Sequence, residues 1–345
     1  MKIDLSGKSR AASWKASPEN MVDPTGFQEE GLMKKRQLGR SGIEIAPLVF
    51  GGNVFGWTAD EARSFALLDR FVEQGFNAID TADVYSAWGP GLSGGESEAV
   101  IGKWLARRGR RDDVVLMTKV GKWEPRKGLA ADNIAAAVDD SLKRLGTDYL
   151  DVYFAHFDDR DVPLEESLGA FAKLVEAGKV RALGASNYDA SRLREALAIS
   201  EAQGLPRYEV MQPLYNLYDR AAFESDLAAV ADEHQLGVVS YFSLASGFLS
   251  GKYKGIEDLQ GKARAGFLEG YFDDRGMQLL DVLRRVAADV RATPAQVALA
   301  WLMAQPAVTA PIASATSVEQ FDELAAAAGL SLPPAALKEL DAAGR

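Results

Sequence analysis

Short apolar runs that end in ionisable residues recur at a regular spacing and constrain this chain most strongly. The runs cover residues 76–80, 114–119 and 150–156 and end in Asp80, Lys119 and His156. The end residues are 39 and 37 positions apart, and each interval holds one segment of helix length. This spacing is typical of consecutive strand–helix units in a parallel sheet. We therefore expect the three end residues to face one another at the carboxyl ends of their strands.

The same pattern continues along the chain and predicts eight strand–helix units. The predicted strands are 46–52, 76–80, 114–119, 150–156, 180–185, 208–211, 236–240 and 308–312. We predict an α/β fold, a (β/α)8 TIM barrel with its site at the carboxyl rim. An N-terminal β-hairpin at 34–45 precedes it, and extra helices follow the seventh strand and end the chain. We expect residues 33–345 to form one domain. Residues 1–32 show neither the helical nor the strand period of apolar residues and are expected to be a disordered extension.

Composition excludes several classes of function. The 345 residues carry a net charge of −10, which disfavours binding to nucleic acid. Cysteine is absent and only two histidines occur, so thiolate chemistry and a multi-histidine metal site are excluded. No apolar run approaches the ~20 residues of a membrane span, and no signal peptide is evident. We expect a cytoplasmic enzyme that acts on a small molecule, and the sequence leaves its oligomeric state open.

The rim residues suit carbonyl reduction. A buried Lys119 needs a counterion, and Asp80 is the nearest candidate. Tyr85 follows Asp80 by five residues, and a lysine beside a phenol is expected to lower its pKa. His156 could hydrogen-bond a carbonyl oxygen while Tyr85 donates a proton. A cofactor would bring the hydride.

A second group of residues suits a nicotinamide. Ser186, Asn187 and Gln212 carry hydroxyl and amide groups that can pair with a carboxamide. Tyr241 offers a ring for stacking, and the helix after Thr316 offers N–H groups for a phosphate. Three predicted helix caps are Thr58 with Glu61, Thr293 with Gln296, and Thr316 with Glu319.

The glycines at 89, 91 and 94 spell the dinucleotide fingerprint G-x-G-x-x-G. In the true fingerprint the glycines turn directly off the strand, and an acidic residue follows about 20 positions later. Here about ten residues separate them from the strand, and the region about 20 positions later is Arg-Arg-Asp at the end of a predicted helix rather than at the end of a second strand. A rim loop is the better interpretation.

Over residues 34–343 the sequence resembles the aldo-keto reductase superfamily. The resemblance rests on the motif Asp-Thr-Ala-x-x-Tyr at 80–85, on Lys119 in Met-Thr-Lys-Val, and on His156. The long Trp-Gly-Pro-Gly loop is more similar to bacterial members. The resemblance implies Tyr85 as general acid, tuned by Lys119 and Asp80, with His156 orienting the carbonyl. It also implies NADPH as cofactor, with NADH as an alternative. The implied cofactor contacts are Gly52, Asn53, Ser186, Asn187, Gln212, Tyr241, Phe242, Ser243, Leu244, Gly247, Leu249, Lys252, Ile312, Ala313, Ser314, Thr316 and Gln320.

The chain departs from the family pattern near the adenosine phosphate. Thr316 and Leu324 stand where many members carry an arginine and an asparagine, which weakens the preference for NADPH. Lys262 or Arg264 would be the substitute cation. The expected substrate pocket is aromatic, with Phe55, Trp57, Trp88 and Trp123.

Two other functions stay open. A Schiff-base lyase would use Lys119 as its nucleophile. A non-enzymatic, NADPH-sensing binding protein is suggested by the potassium-channel β-subunits of the same superfamily.

Overall fold

The computed structural model describes residues 33–261 and 265–345. The predicted disordered extension, 1–32, lies outside the described residues, as do Lys262 and Arg264. Within the two described ranges, no helix combines the length and apolar character needed to cross a membrane.

Eight parallel strands close into a barrel, which confirms the predicted TIM barrel. A small antiparallel hairpin, β1 (Arg36–Gln37) and β2 (Glu44–Ile45), precedes it. The barrel strands are β3 (Val49–Gly51), β4 (Ala78–Asp80), β5 (Val115–Val120), β6 (Leu150–Ala155), β7 (Val180–Ser186), β8 (Tyr208–Gln212), β9 (Gly237–Ser240) and β10 (Ala310–Ala313). They pair in sequence order, and β10 pairs with both β9 and β3 to complete the ring.

Helices follow the barrel strands and cover their outer faces. They are α1 (Glu61–Glu73), α2 (Glu96–Arg108), α3 (Ala131–Leu145), α4 (Leu164–Glu176), α5 (Ala190–Gln203), α6 (Ala228–His234), α7 (Asp274–Asp289), α8 (Pro294–Met303), α9 (Val318–Ala325) and α10 (Pro334–Ala343). Two helices, α7 and α8, follow the seventh barrel strand, and α10 ends the chain, as predicted.

The barrel interior is apolar at its amino end, and the hairpin covers that end. Leu38 and Ile43 of the hairpin region belong to one buried cluster with inward residues such as Val49 and Met117. At the turn, a β-carbon on Gly39 would lie 2.5 Å from the Gly237 backbone nitrogen. The hairpin therefore packs directly on the backbone of the barrel.

Side-chain alternation places polar groups at the opposite end. In β5, Met117 lies in the interior cluster, and Lys119, two residues later, points the same way. The same step of two leads from Ala78 to Asp80 and from Phe154 to the position of His156, just after β6. The inward-facing side chains of each of these three strands thus lead to an ionisable residue at the carboxyl rim.

One of the three predicted helix caps is confirmed, and two are wrong. Thr293 and Gln296 form a reciprocal capping box at α8, with Pro294 at its first position. At α1 the cap is Asp60 rather than Thr58, and at α9 it is Ser317 rather than Thr316. Each of these two true caps lies one or two residues beyond the predicted one.

Candidate active site

Lys119 is fully buried and lies at the centre of a cluster of polar groups. Its ammonium donates to Asp80 Oδ2 at 2.7 Å, to the Thr81 carbonyl at 2.6 Å and to the Tyr85 hydroxyl at 2.8 Å. These bonds use all three of its protons. Burial lowers the pKa of Lys119, while the charge of Asp80 raises it. The ion pair with Asp80 confirms the expected counterion.

Tyr85 holds its proton firmly. Its hydroxyl donates to Asp80 Oδ2 at 3.1 Å. Burial, followed by the charge of Asp80, raises the pKa of Tyr85 well above its ordinary value. The expectation that Lys119 lowers this pKa is therefore wrong here, because loss of water and a neighbouring carboxylate both disfavour the phenolate. Once the proton has left, however, the ammonium of Lys119 is in place to stabilise the phenolate.

His156 is neutral at physiological pH. Burial, then the charges of Lys119 and Lys122, hold its pKa well below the ordinary value. Its ring centroid lies 6.2 Å from that of Tyr85, and among the described residues its Nδ1 has no hydrogen-bond partner. A neutral imidazole carries one N–H donor, which suits a carbonyl oxygen.

The hydroxyl and amide groups predicted to hold a carboxamide are joined to this cluster. Gln212 Nε2 donates to Asp80 Oδ1 at 2.8 Å, and the hydroxyl of Ser186 donates to the Gln212 carbonyl at 2.9 Å. Asn187 has a left-handed backbone, with φ of 59°, and its Oδ1 accepts from the Tyr241 hydroxyl at 2.8 Å. These bonds orient the four side chains around the same cavity.

The loop after β9 has an unusual backbone. Phe242, Ala245, Ser246 and Gly247 all have positive φ. The amides of Ala245 and Gly247 donate to the carbonyls of Phe242 and Leu244 at 2.7 and 2.8 Å, so hydrogen bonds within the loop hold this shape. In another part of the cavity wall, a β-carbon on Gly51 would lie 2.5 Å from Ser314 Oγ, so glycine lets Ser314 pack closely against β3.

One cavity connects the catalytic cluster with the residues predicted to hold a carboxamide. Its volume, about 560 Å³, is within the usual range for small-molecule sites. Predicted residues in its wall are Asn53, Trp57, Asp80, Tyr85, Trp88, His156, Ser186, Asn187, Gln212, Tyr241, Phe242, Leu244, Gly247, Ile312, Ala313, Ser314 and Gln320. Predicted cofactor residues outside the wall are Gly52, Ser243, Leu249, Lys252 and Thr316. Gly52 packs against Ser97 instead, and Leu249 is fully buried in the core.

Two predicted pocket residues do not line this cavity. Phe55 is fully buried and stacks on Phe50 at 5.2 Å, as part of the core between barrel and helices. Trp123 faces away and donates its Nε1 proton to the Ser93 carbonyl at 2.6 Å. The other two tryptophans, Trp57 and Trp88, meet edge to face at 5.8 Å in the cavity wall.

The glycine-rich segment at 89–95 is a rim loop, as the sequence favoured. It ends at Gly95, which precedes the first residue of α2. Gly94 packs against the Trp123 ring, and Gly89 against Leu92 and Trp57. The glycines therefore allow close packing within the rim and do not form a strand-to-helix phosphate turn.

Sequence reasoning missed several residues of the wall. They are Gly51, Val84, Lys122, Ser246 and Phe267. Most lie in loops after barrel strands, the segments that form active sites in this architecture. Position in such a loop was the available signal, particularly for Lys122, three residues after Lys119.

Asp83 is a further buried carboxylate beside the site. It is fully buried, and neither of its oxygens has a side-chain or backbone partner at full hydrogen-bond geometry among the described residues. Burial, then the charge of Glu98, raises the pKa of Asp83 to about 7, although Arg144 and nearby backbone amides offset part of this effect.

Comparison with known proteins agrees with this geometry. The sequence model of the Aldo/keto reductase family matches residues 47–345. The chain is 34% identical to the uncharacterized oxidoreductase YrpG of Bacillus subtilis (strain 168), over 90% of this chain and 95% of the relative. It is 32% identical to Protein tas of Escherichia coli (strain K12), over 90% of this chain and 97% of the relative. It is 34% identical to a probable voltage-gated potassium channel subunit beta of Oryza sativa subsp. japonica, over 84% of this chain and 90% of the relative.

The family match covers most of the chain, and the relatives align over nearly their whole length. With the closed barrel and the clustered rim residues, this establishes the relationship: the chain belongs to the aldo/keto reductase family, a family of oxidoreductases.

Proposed function

We propose that this protein is an NADPH-dependent reductase of aldehydes or ketones, with Tyr85 as the general acid. The observation that carries the proposal is the buried contact of Lys119 with both Asp80 and Tyr85, beside a neutral His156. The substrate is a small-molecule carbonyl compound. A cytoplasmic location stays a prediction.

The residues divide the work as follows. His156 donates a hydrogen bond to the carbonyl oxygen and orients it. The phenol of Tyr85 turns from Asp80 toward that oxygen and gives up its proton as negative charge develops there. An alkoxide is more basic than a phenolate, so this transfer is favourable even though the pKa of Tyr85 is raised. Lys119 then stabilises the phenolate through its 2.8 Å hydrogen bond.

The residues fit a nicotinamide dinucleotide. Gly51 and the loop at 242–247 both lie in the cavity wall, which supports a site there for the pyrophosphate and its neighbouring groups. Ser186, Asn187 and Gln212 would hold the carboxamide, and Tyr241 would stack on its ring. When bound, the reduced nicotinamide supplies the hydride. The family default favours NADPH, with NADH as the weaker alternative.

The test is a fluorescence titration with NADPH and NADH, followed by turnover of 4-nitrobenzaldehyde. In Tyr85→Phe we expect turnover to fall by about 10²–10⁴-fold, since a general acid is lost, with nucleotide affinity nearly unchanged. Tyr218→Phe is the matched control, because it loses a phenol–carboxylate hydrogen bond to Asp273 outside the cavity wall. Unchanged turnover in Tyr85→Phe would contradict its role as acid.

The same experiment separates the alternatives. Tight NADPH binding without turnover on a broad panel of carbonyl compounds would favour a cofactor-sensing binding protein, and one relative is named as a probable channel subunit rather than as an enzyme. A Schiff-base lyase is less well supported, because Lys119 is fully buried and its three protons are engaged. It would show borohydride trapping of substrate on Lys119 and no need for a nucleotide.

A further inference from the structure

Lys122 lies in the wall of the catalytic cavity, on the side of Tyr85 and His156. It lies two residues after the end of β5, the strand that carries Lys119, and sits outside the buried cluster. Lys122 is close enough to act on the catalytic groups: after burial and Lys119, its charge is the third influence that lowers the pKa of His156.

Among the described residues, Lys122 has no carboxylate partner. Burial and the repulsion of Lys119 are the influences on its ammonium, and both disfavour its charge. The Lys122 side chain is exposed at the cavity, and neighbouring atoms remove only part of its water. Lys127, five residues later in the same loop, differs in this respect, because its ammonium pairs with Glu124 at 2.9 Å.

The charges around the reacting end of the cavity therefore leave one positive charge uncompensated. Lys119 is neutralised by Asp80 at 2.7 Å, and His156 is uncharged. Asp83, the other nearby carboxylate, is fully buried behind the cluster. A positive charge that faces a partly dehydrated cavity attracts an anion more strongly than one in bulk water does.

The rest of the wall sets the shape of the attached group. Trp88 meets both Trp57 and Tyr85 edge to face at 5.8 Å, which makes one side of this space aromatic. A flat or hydrocarbon spacer between carbonyl and anion would contact these rings.

We propose that this site selects carbonyl compounds that carry a carboxylate on an aromatic or hydrocarbon spacer, with Lys122 as the partner of that carboxylate. The inference rests on the proposed reductase function and names its substrate class. Lys122 is a specificity-determining residue in this scheme, and proton transfer stays with Tyr85.

The test compares 4-formylbenzoate with its methyl ester, which keeps the aldehyde and the ring but removes the charge. In the wild type, kcat/KM should favour the carboxylate by about tenfold, the effect of one charged hydrogen bond. Lys122→Met should abolish this ratio, Lys122→Arg should retain it, and added salt should reduce it. Lys127→Met is the matched control and should leave the ratio at its wild-type value.

A second readout does not depend on turnover. Calorimetric binding of 4-(hydroxymethyl)benzoate and of its methyl ester, with NADPH present, should show the same preference and the same loss in Lys122→Met. An equal ratio in wild type and Lys122→Met, in both assays, would overturn the inference. Failure of the reductase function looks different, since neither aldehyde would then be reduced.

Discussion

Lys119 is a cation with no exposed surface, and at the residue scale its surroundings explain how the fold tolerates it. A buried charge is costly unless it is paired and its protons are engaged. Asp80, Thr81 and Tyr85 meet both conditions. Because the same bonds that make the lysine tolerable also position the phenol, stability and chemistry depend here on one set of contacts.

Asp83 is the opposite case, since it is buried without such partners. Its pKa is raised from 3.8 to about 7, so the folded state favours the protonated form. The contribution of the protonated carboxyl to the free energy of unfolding is complete below pH 4. It is lost as the pH rises toward and through 7. By linkage, the charged form costs about 4 kcal/mol of stability.

We predict that Asp83→Asn changes the pH dependence of stability. At pH 4 variant and wild type should be similar, because the wild-type carboxyl is then neutral in the folded state and largely able to take up a proton in the unfolded state as well. At pH 8 the variant should be more stable, by up to about 4 kcal/mol. Urea unfolding at both pH values measures this, with the exposed Asp112→Asn as control. A difference that does not change with pH would contradict the raised pKa.

At the scale of elements, helix starts show how local sequence can mislead. Thr58 and Asp60 are both good capping residues, and Thr316 and Ser317 are adjacent. The chain uses Asp60, which accepts from the Arg63 amide at 2.9 Å, and Ser317, which accepts from the Gln320 amide at 3.2 Å. Sequence cannot choose between neighbouring candidates, because the choice depends on where the preceding loop enters the helix.

We predict that Thr293→Ala and Thr58→Val differ in their effect on stability. Thr293 caps α8, so its loss should cost about 1 kcal/mol. The buried Thr58 hydroxyl has no hydrogen-bond partner among the described residues, so Thr58→Val should be neutral or stabilising. Denaturant unfolding compares the two free energies. An equal loss in both variants would show that Thr58 has a capping role after all.

Much of the fold and the catalytic cluster could be predicted, because both follow from periodicity. Strand spacing predicted the barrel, and the last inward residue of each strand predicted the meeting of Asp80, Lys119 and His156. Loop residues were less predictable, because their direction is set by tertiary packing. Phe55 turned into the core, and Lys122 turned into the cavity.

At the scale of the whole molecule, the N-terminal hairpin closes one end of the barrel. Leu38 and Ile43 join the interior cluster, and Gly39 lies against the backbone of two barrel strands. A β-carbon there would lie 2.5 Å from the Gly237 nitrogen and 2.6 Å from the Glu209 carbonyl oxygen. Closure thus depends on a position without a side chain.

We predict that Gly39→Ala destabilises the protein more than Gly42→Ala. Both glycines have positive φ, 60° and 72°, so both variants should lose about 1–2 kcal/mol from backbone strain. A β-carbon on Gly42 meets nothing within 4 Å, whereas one on Gly39 must displace the hairpin from the barrel. Thermal unfolding should therefore show a clearly lower Tm for Gly39→Ala. Equal losses would mean that the hairpin moves without penalty.

The closed end also bears on the timing of each turnover. Within the described part of the chain, the hairpin covers the amino end of the barrel, and the cavity beside Tyr85 and His156 lies at the carboxyl rim. Arrival of a new molecule and departure of the previous one then use the same opening and exclude each other in time. The residence time of the product at that opening sets an upper limit on the turnover rate, however fast the chemical step becomes.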